Sequence, residues 1–413
     1  MSGRNAGRIF LHSLLVVGAI TFQALSAHAQ ERTSIPEPAK PGSAPAANQS
    51  PLQAGTAVIL RSSDALKSDA AAKEDARIPK EADKPVPHIA LLMPLASKAF
   101  GRVADAVKLG FVAGAEAEGK NAPPYRIYTA DDEGASLAAQ CRKAMADGAM
   151  AIIGGLTRDG ANTIVRESRL LPTLALNAPE ATGDDELPDR LFYISLNLDI
   201  EARLVARMAS GEGHRHVALL VSNNPLAKRI QESFEKEWQR LGGEKAATLS
   251  FGRDPNDATR VASAMEKLGT KVDAVFLAAD PAAARFVRPY LPSGMPVFAT
   301  SHSVDPRAEA VANLDLDNVR FLEMPWFAEQ DHPAVMAYAK PTQPMPAELE
   351  RLYALGIDAW RLGQLIVKND NTRNLPPLDG VTGRITFDGH QLVRALSSVE
   401  IRDGRSQLFR PSE

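Results

Sequence analysis

The sequence predicts an α/β protein of two Rossmann-like lobes, each built around a parallel sheet. Three observations lead there. From about residue 88 onward, apolar runs of strand length alternate with segments of helical period, the pattern of successive βαβ units. The alternation runs its course twice in series, over about 88–198 and about 199–345, so two lobes of one design are expected with a cleft between them. A long helical pattern and further strands then follow over about 346–413, and these are expected to return and complete the first lobe, so that several crossings join the two.

Taken in order, the first strand reads over 89–95 and the first helix over 101–117, with Val103, Val107, Leu109 to Phe111 and Ala115 as its buried stripe. Strands over 125–130, 149–154, 172–176 and 192–196 follow, with helices over 136–146 and 159–168 between the earlier ones. The second unit opens on a helix over 200–209 and continues with strands over 217–221, 246–251, 274–278 and 297–299. Its helices read over 226–241, 257–268 and 281–290. A strand-like 321–324 leads into Pro325-Trp326-Phe327. The late helix spans 346–367, where Leu349, Leu352, Leu355, Ala359 and Leu362 keep helical spacing, and strands over 383–388 and 399–402 come after it.

The amino-terminal part has a different character. Arg4 and Arg8 precede an apolar stretch, densest over 14–20, that is too short to span ~30 Å of hydrocarbon, and Ala27-His28-Ala29 has the small-residue spacing read by signal peptidase. Residues 1–29 are therefore expected to be a signal peptide cleaved after Ala29, and the mature protein to be periplasmic. Residues 30–87 carry eight prolines, many alanines and no aromatic residue; such a stretch cannot bury enough apolar area to offset its ordering entropy. It reads as a disordered Ala/Pro-rich linker with room for a short helix over 63–76.

Composition narrows the function classes. In 413 residues, Lys and Arg number 47 against 50 Asp and Glu, and removing 1–29 leaves 45 basic residues, so no basic excess recruits nucleic acid or an anionic bilayer. The single cysteine, Cys141, forms no intramolecular disulfide and no thiolate metal site; on a helix among apolar neighbours it reads as a small core residue. No cysteine lies near the cleavage site, so no amino-terminal lipid anchor is evident.

In open parallel sheets, ligands sit beyond the carboxyl ends of the strands, where helix amino termini and loop polar groups converge. Those positions are Ser97, Asp131, Thr157 and Asn177 in the first lobe and Asn223, Asp280 and Ser301 in the second. Each is also a preferred helix cap, so single-residue readings favour capping, and only convergence on one rim would make a site. Hydrolase elbow, phosphate-loop and zinc-helix patterns are absent, and neither a cofactor nor a metal is expected. His214 and His216 supply only two ligands and read as surface residues. Asp131, Asp132 and Glu133, with Gly134 next, read as a turn into the following helix rather than as paired catalytic carboxylates. Trp326 and Phe327 are either a buried plug between the lobes or an aromatic anchor for a protein partner.

Several blocks resemble a known family. They are Ile89-Ala-Leu-Leu-Met-Pro-Leu95 with Ala104-Asp-Ala-Val-Lys-Leu-Gly-Phe111, Leu171-Pro-Thr-Leu-Ala-Leu-Asn177, Glu323-Met-Pro-Trp-Phe327, and Leu352-Tyr-Ala-Leu-Gly-Ile-Asp-Ala-Trp-Arg361 with Gly380-Val-Thr-Gly-Arg-Ile385. Over about 89–408 the sequence resembles the penicillin-binding protein activators of the LppC/LpoA type, whose carboxyl-terminal domain has the type I periplasmic-binding-protein fold. The opening blocks are shared with amino-acid-binding proteins of transporters; the later ones are the specific ones. The resemblance implies a non-enzymatic, outer-membrane-tethered regulator that contacts a class A penicillin-binding protein and stimulates peptidoglycan cross-linking. Members usually carry a helical-repeat domain ahead of this body and a lipidated cysteine, and the 30–87 stretch departs from that pattern. The alternative is a solute receptor of the transporter type for an amino acid or small acyl ligand, in which Ser97, Thr157 and nearby amides would hold a carboxylate and Asp280 would face an ammonium group.

Overall fold

A computed structural model describes residues 85–180, 187–369 and 375–410. The chain divides into two units, Met1–Asp75 and Ala76–Glu413, and everything described belongs to the second. The expected signal segment and the helix over 63–76 lie outside the described residues, as does all of the expected linker except its last three residues.

The first lobe begins with β1 (His88–Met93), every residue of which is buried, because β2 and β3 flank it and helices cover both faces of the sheet there. It continues through α1 (Gly101–Glu118), β2 (Tyr125–Thr129), α2 (Ala135–Ala146), β3 (Ala149–Gly154), α3 (Arg158–Glu167), β4 (Thr173–Ala175) and β5 (Leu191–Tyr193). On one face Val107, Phe111 and Ala104 of α1 pack on Ile89, Leu91 and Ile153; on the other, Leu137 and Cys141 of α2 and Ile164 of α3 pack on Ala90, Leu92 and Ile152.

The second lobe runs from α4 (Leu198–Gly211) through β6 (His216–Ser222), α5 (Pro225–Arg240), β7 (Glu244–Phe251), α6 (Pro255–Leu268), β8 (Ala274–Ala278), α7 (Pro281–Val287), β9 (Val297–Ala299), the short α8 (Ala310–Asn313) and β10 (Val319–Glu323). Three of its helices start on an Asn or Asp cap followed by proline: Asn224 with Pro225, Asp254 with Pro255 and Asp280 with Pro281. The helix expected over 281–290 ends as α-helix at Val287 and tightens into a 3₁₀ turn over Arg288–Tyr290, where Pro289 has no N–H to continue the α ladder.

Two short helices, α9 (Pro325–Ala328) and α10 (Pro333–Met336), lead to α11 (Ala347–Lys368), then β11 (Leu378–Gly380), β12 (Gly383–Asp388), β13 (Gln391–Ala395), β14 (Ser397–Arg402) and β15 (Arg405–Leu408). The helix α11 does return to the first lobe and lies against α1 so closely that a Cβ on Gly110 would sit 1.8 Å from the carbonyl oxygen of Tyr353, and one on Gly356 would sit 2.1 Å from that of Val107. Among the described residues the first sheet has eight strands in the order β11-β12-β13-β5-β4-β3-β1-β2, parallel from β13 to β2. The second has seven, β15-β14-β10-β9-β8-β6-β7, parallel from β10 to β7.

The expectation that 346–413 returns as a whole to the first lobe needs correction. Only α11 and β11 to β13 do so; β14 pairs antiparallel with β10, and β15 with β14, in the second sheet. Within the described residues the chain therefore crosses between lobes three times: after β5, between β10 and α11, and at Leu396 between β13 and β14. Leu196 and Leu396, from the first and third crossings, pack on one apolar cluster formed by Met324, Trp326, Phe327, Tyr353 and Val381.

Candidate functional site

Beyond the carboxyl ends of the strands, a cavity of about 840 Å³ opens between the lobes. Its apolar wall comes from Leu176, Leu196, Leu352 and Leu355, and its polar rim from Arg158, Asp159, Asn177, Glu180, Asp199 and Arg229. Much of the rim charge is already paired: Arg158 meets Glu180 at 3.2 Å and Arg229 meets Asp199 at 3.0 Å. These exposed pairs add little stability, yet they neutralise the charges a small ionic ligand would use.

The seven candidate residues do not converge on this rim. Asn177 lines the cavity; its Nδ2 donates to the Leu156 carbonyl at 3.0 Å and its Oδ1 accepts from the Ala178 N–H at 2.9 Å. Thr157 stands between two lining residues and caps α3, its Oγ1 accepting from the Gly160 N–H at 3.2 Å. Ser97 Oγ accepts from the Phe100 N–H just ahead of α1. Asp131 is exposed, with its own N–H donating to Ser136 Oγ. Asn223 is exposed and bonds through its backbone to Phe251. Asp280 caps α7 by accepting from Ala282 and Ala283, with Arg253 at 3.9 Å. Ser301 is buried, and both its N–H and its hydroxyl donate to the carboxylate of Glu201. Short polar side chains placed after strands are mostly spent on capping the next helix, which is the reading that rim position alone could not separate from ligand binding.

Trp326 and Phe327 require a correction as partner-contact residues. The Trp326 side chain is fully buried, donates from Nε1 to Glu350 Oε1 at 2.8 Å, and carries the Lys340 ammonium 3.5 Å from its ring centroid. Phe327 lies between the guanidiniums of Arg307 and Arg351, at 5.4 and 5.2 Å. Both form the plug where the chain crosses between lobes, out of reach of a docking protein.

Two polar constellations escaped the sequence reading. The first is Glu133, whose Oε1 accepts from the Leu156 N–H and Oε2 from the Thr157 N–H, each at 2.7 Å. Its one legible signal was Gly160 in the first turn of α3, where a Cβ would lie 2.5 Å from the Glu133 carboxyl carbon. The second bridges the lobes. Glu201 of α4 and Glu323 at the end of β10 face Arg351 of α11 and Arg394 of β13, with Arg351 donating to Glu323 at 2.6 Å. Burial pushes Glu201 up to about 7 despite the two donors of Ser301. Nearby, Asp358 accepts from Val381 N–H, Thr382 N–H and Thr382 Oγ1, pinning the turn between β11 and β12 to α11; burial raises its carboxyl against those bonds.

Other chemistry-bearing groups serve structure. Asp273 accepts from the backbone N–H groups of Arg215 and His216 at the start of β6, with the rings of His214 and His216 3.7 and 3.6 Å away. Among the described residues no cluster of His, Cys, Asp and Glu is placed to hold a metal ion. Cys141 is fully buried, and burial pushes its thiol up to about 12, so it is unreactive.

Comparison with known proteins adds a family. The model described as "LppC putative lipoprotein" matches residues 78–404. The penicillin-binding protein activator LpoA of Enterobacter sp. (strain 638) is 27% identical over 302 residues, which are 63% of this chain and 41% of that protein, so the chain spans less than half the length of this curated relative. Among solved structures, a "putative branched-chain amino acid ABC transporter" from Chromobacterium violaceum ATCC 12472 superposes with a TM-score of 0.66 at 31% identity, over 76% of this chain and 100% of that one. The C-domain of LpoA (YraM) from Haemophilus influenzae, a regulator of PBP1A, has the same fold: TM-score 0.62 at 22% identity, over 78% of this chain and 100% of that domain.

Proposed function

The chain belongs to the LppC family, and on that premise we propose that it is an exported, non-enzymatic regulator that contacts a class A penicillin-binding protein and stimulates its cross-linking of peptidoglycan. The observation that carries this reading is the extent of the family match: residues 78–404 take in both lobes and all three crossings, so the similarity is to the whole body rather than to a shared strand-helix block. Relatives named as penicillin-binding protein activators, and the shared fold of the Haemophilus influenzae domain, support it. The cleft supports the non-enzymatic part, since its rim charges are largely tied up in ion pairs and its polar side chains in caps. The pattern of 1–29, with Ala27-His28-Ala29 at its end, supports export to the periplasm, and the Pro/Ala-rich 30–87 supports a tether carrying a body that begins near residue 88.

The test is capture of a class A penicillin-binding protein by the purified full chain, with transpeptidation measured in the presence and absence of the chain. Complex formation with increased cross-linking is expected; no complex together with unchanged cross-linking would sink the reading. A solute receptor remains the second reading, favoured by the description of the Chromobacterium violaceum protein. Thermal-shift screening against amino acids separates the two, because a ligand at 100 times its Kd adds about 2.7 kcal/mol to the folded state.

A further inference from the structure

The outermost strand of a sheet carries a row of backbone N–H and C=O groups without a ladder partner, and proteins ordinarily disarm such an edge by shortening, bulging, capping or covering it. Of the four sheet edges among the described residues, three are disarmed in this way. β11 has three residues, and β15 has four with α8 packed against its start, where a Cβ on Gly404 would sit 1.9 Å from the Ala310 carbonyl oxygen. β7 is longer, but its pairing with β6 slips by one residue at Ala246, and the Arg260 guanidinium occupies the Ser250 carbonyl at 2.6 Å. β2 has none of these devices. In its parallel ladder the Pro124 carbonyl accepts from the Ile89 N–H and the Ala130 N–H donates to the Met93 carbonyl, so the even-numbered residues bond to β1. Tyr125, Ile127 and Thr129 therefore turn their N–H and C=O groups outward, and among the described residues nothing bonds to them. A depression of about 620 Å³ opens along Arg126 to Thr129 and reaches Gln140 and Lys143 of α2, which leaves this edge accessible.

The two faces of the edge differ in chemistry. Tyr128 packs toward α2 with Leu137 and Cys141, and Arg126 lies on the same side by alternation, whereas Tyr125 and Ile127 pack toward α1. On the α2 side Asp147 is the one carboxylate among the described residues that answers two cations, Lys143 at 2.5 Å and Arg126 at 3.9 Å. The cations are 60% and 43% exposed against 26% for the acid, so the surface offered is positive. We propose that β2 is a docking edge for an extended segment of a partner protein in which acidic residues alternate with apolar ones. The backbone of that segment takes up the outward N–H and C=O groups, its acids meet Arg126 and Lys143, and its apolar residues continue the face of Tyr125 and Ile127. A second copy of this chain fits less well, because two-fold pairing of β2 with itself sets Arg126 and Lys143 of both copies on one face. The inference goes beyond the regulator reading and does not depend on it, because it names an edge and the chemistry of a strand that fits there, whichever protein carries that strand.

The probe is an acetylated, amidated heptapeptide alternating valine with glutamate, titrated into the ¹⁵N-labelled full chain, with a peptide carrying lysine in place of glutamate as the control. The glutamate peptide is expected to move the backbone amide resonances of Tyr125, Ile127 and Thr129 to saturation, and to bind more weakly as sodium chloride is raised. The lysine peptide is expected to leave them fixed. Thr129→Pro removes an outward N–H and no bond to β1, so it is expected to weaken binding about tenfold, the worth of one hydrogen bond. Should that variant fail to fold, Arg126→Glu decides, and it is expected to abolish the preference for glutamate over lysine. Resonances unmoved by the glutamate peptide, equal binding of the two peptides by wild type, or binding undiminished in the folded variant overturns the proposal. So does sedimentation showing a wild-type dimer that Thr129→Pro makes monomeric, since the edge then belongs to a second copy.

Discussion

Glu201 is a buried carboxylate whose surroundings oppose one another. Ser301 donates twice to it, Arg351 and Arg394 face it, and Glu323 repels it, while Asp358 shares the Arg394 charge and Glu348 acts on Arg351 and on the neighbouring His302. Burial dominates and lifts the group to about 7, above the ~4.3 of a free glutamate. A raised folded value means that the folded chain binds the proton more tightly than the unfolded chain does. Its contribution to stability is therefore complete below the unfolded value and lost as pH climbs through about 7. Glu201→Gln removes this dependence while keeping an acceptor for Ser301, so the variant is expected to gain on wild type by roughly 1–3 kcal/mol between about pH 5 and about pH 8. Urea unfolding of both proteins at the two pH values measures it, and an unchanged gap would mean that Glu201 does not titrate in that window. Trp326 makes a second prediction at this scale: Trp326→Ala opens a cavity and takes one donor from Glu350, which keeps the Arg307 guanidinium, for a loss of about 3–5 kcal/mol by chemical denaturation. Sequence alone marked Trp326 as either plug or anchor, because two large aromatics after a strand look the same whether the next element covers them or not. It placed Glu133 in a turn with Asp131 and Asp132, since a glutamate beside two aspartates and a glycine carries no local sign that its N–H donors lie in a loop 23 residues on.

At the scale of elements, α1 and α11 lie so close together that small residues let backbone meet backbone. Gly356→Ala sets a methyl group 2.1 Å from the Val107 carbonyl oxygen and must push the helices apart, so a loss of roughly 1–3 kcal/mol or more is expected in guanidinium unfolding. A variant as stable as wild type would show that the helices separate freely. Helices and central strands were legible because burial on a stripe or on both faces writes a period into the text: Val107 and Phe111 on α1, the unbroken run of β1, and the leucines of α11. The strands that were missed lack such writing. In β15 all four residues are exposed, β11 is Leu-Asp-Gly, and β13 alternates around the single fully covered Leu392. Nor could periodicity show that β14 joins the second sheet, since Val399 and Ile401 would suit the inner face of either one, and pairing partners are chosen by tertiary contacts.

For the whole molecule, the two-lobed plan was legible because the same strand-helix alternation is spelled twice, whereas the number and place of the crossings depended on pairings that no local pattern encodes. The cluster around Trp326 draws on α1 and α11 of the first lobe and on Met324 and Phe327 beside the second, so neither lobe has a core that ends at its own border. Differential scanning calorimetry of the full chain is accordingly expected to give one transition for both lobes, with calorimetric and van't Hoff enthalpies in agreement. Two resolved peaks would show that the lobes unfold independently, and Trp326→Ala is the substitution expected to split a single peak.

The passage from β13 to β14 is a lone residue, Leu396, gripped on either side by strands laddered into different sheets. Any swing of one lobe on the other has to be taken up as torsion at that bond, or else by peeling rungs from Ala395 or Ser397. Rotation between the lobes would thus be concentrated in the backbone of a very few residues, with Leu396 the shortest of the three connections.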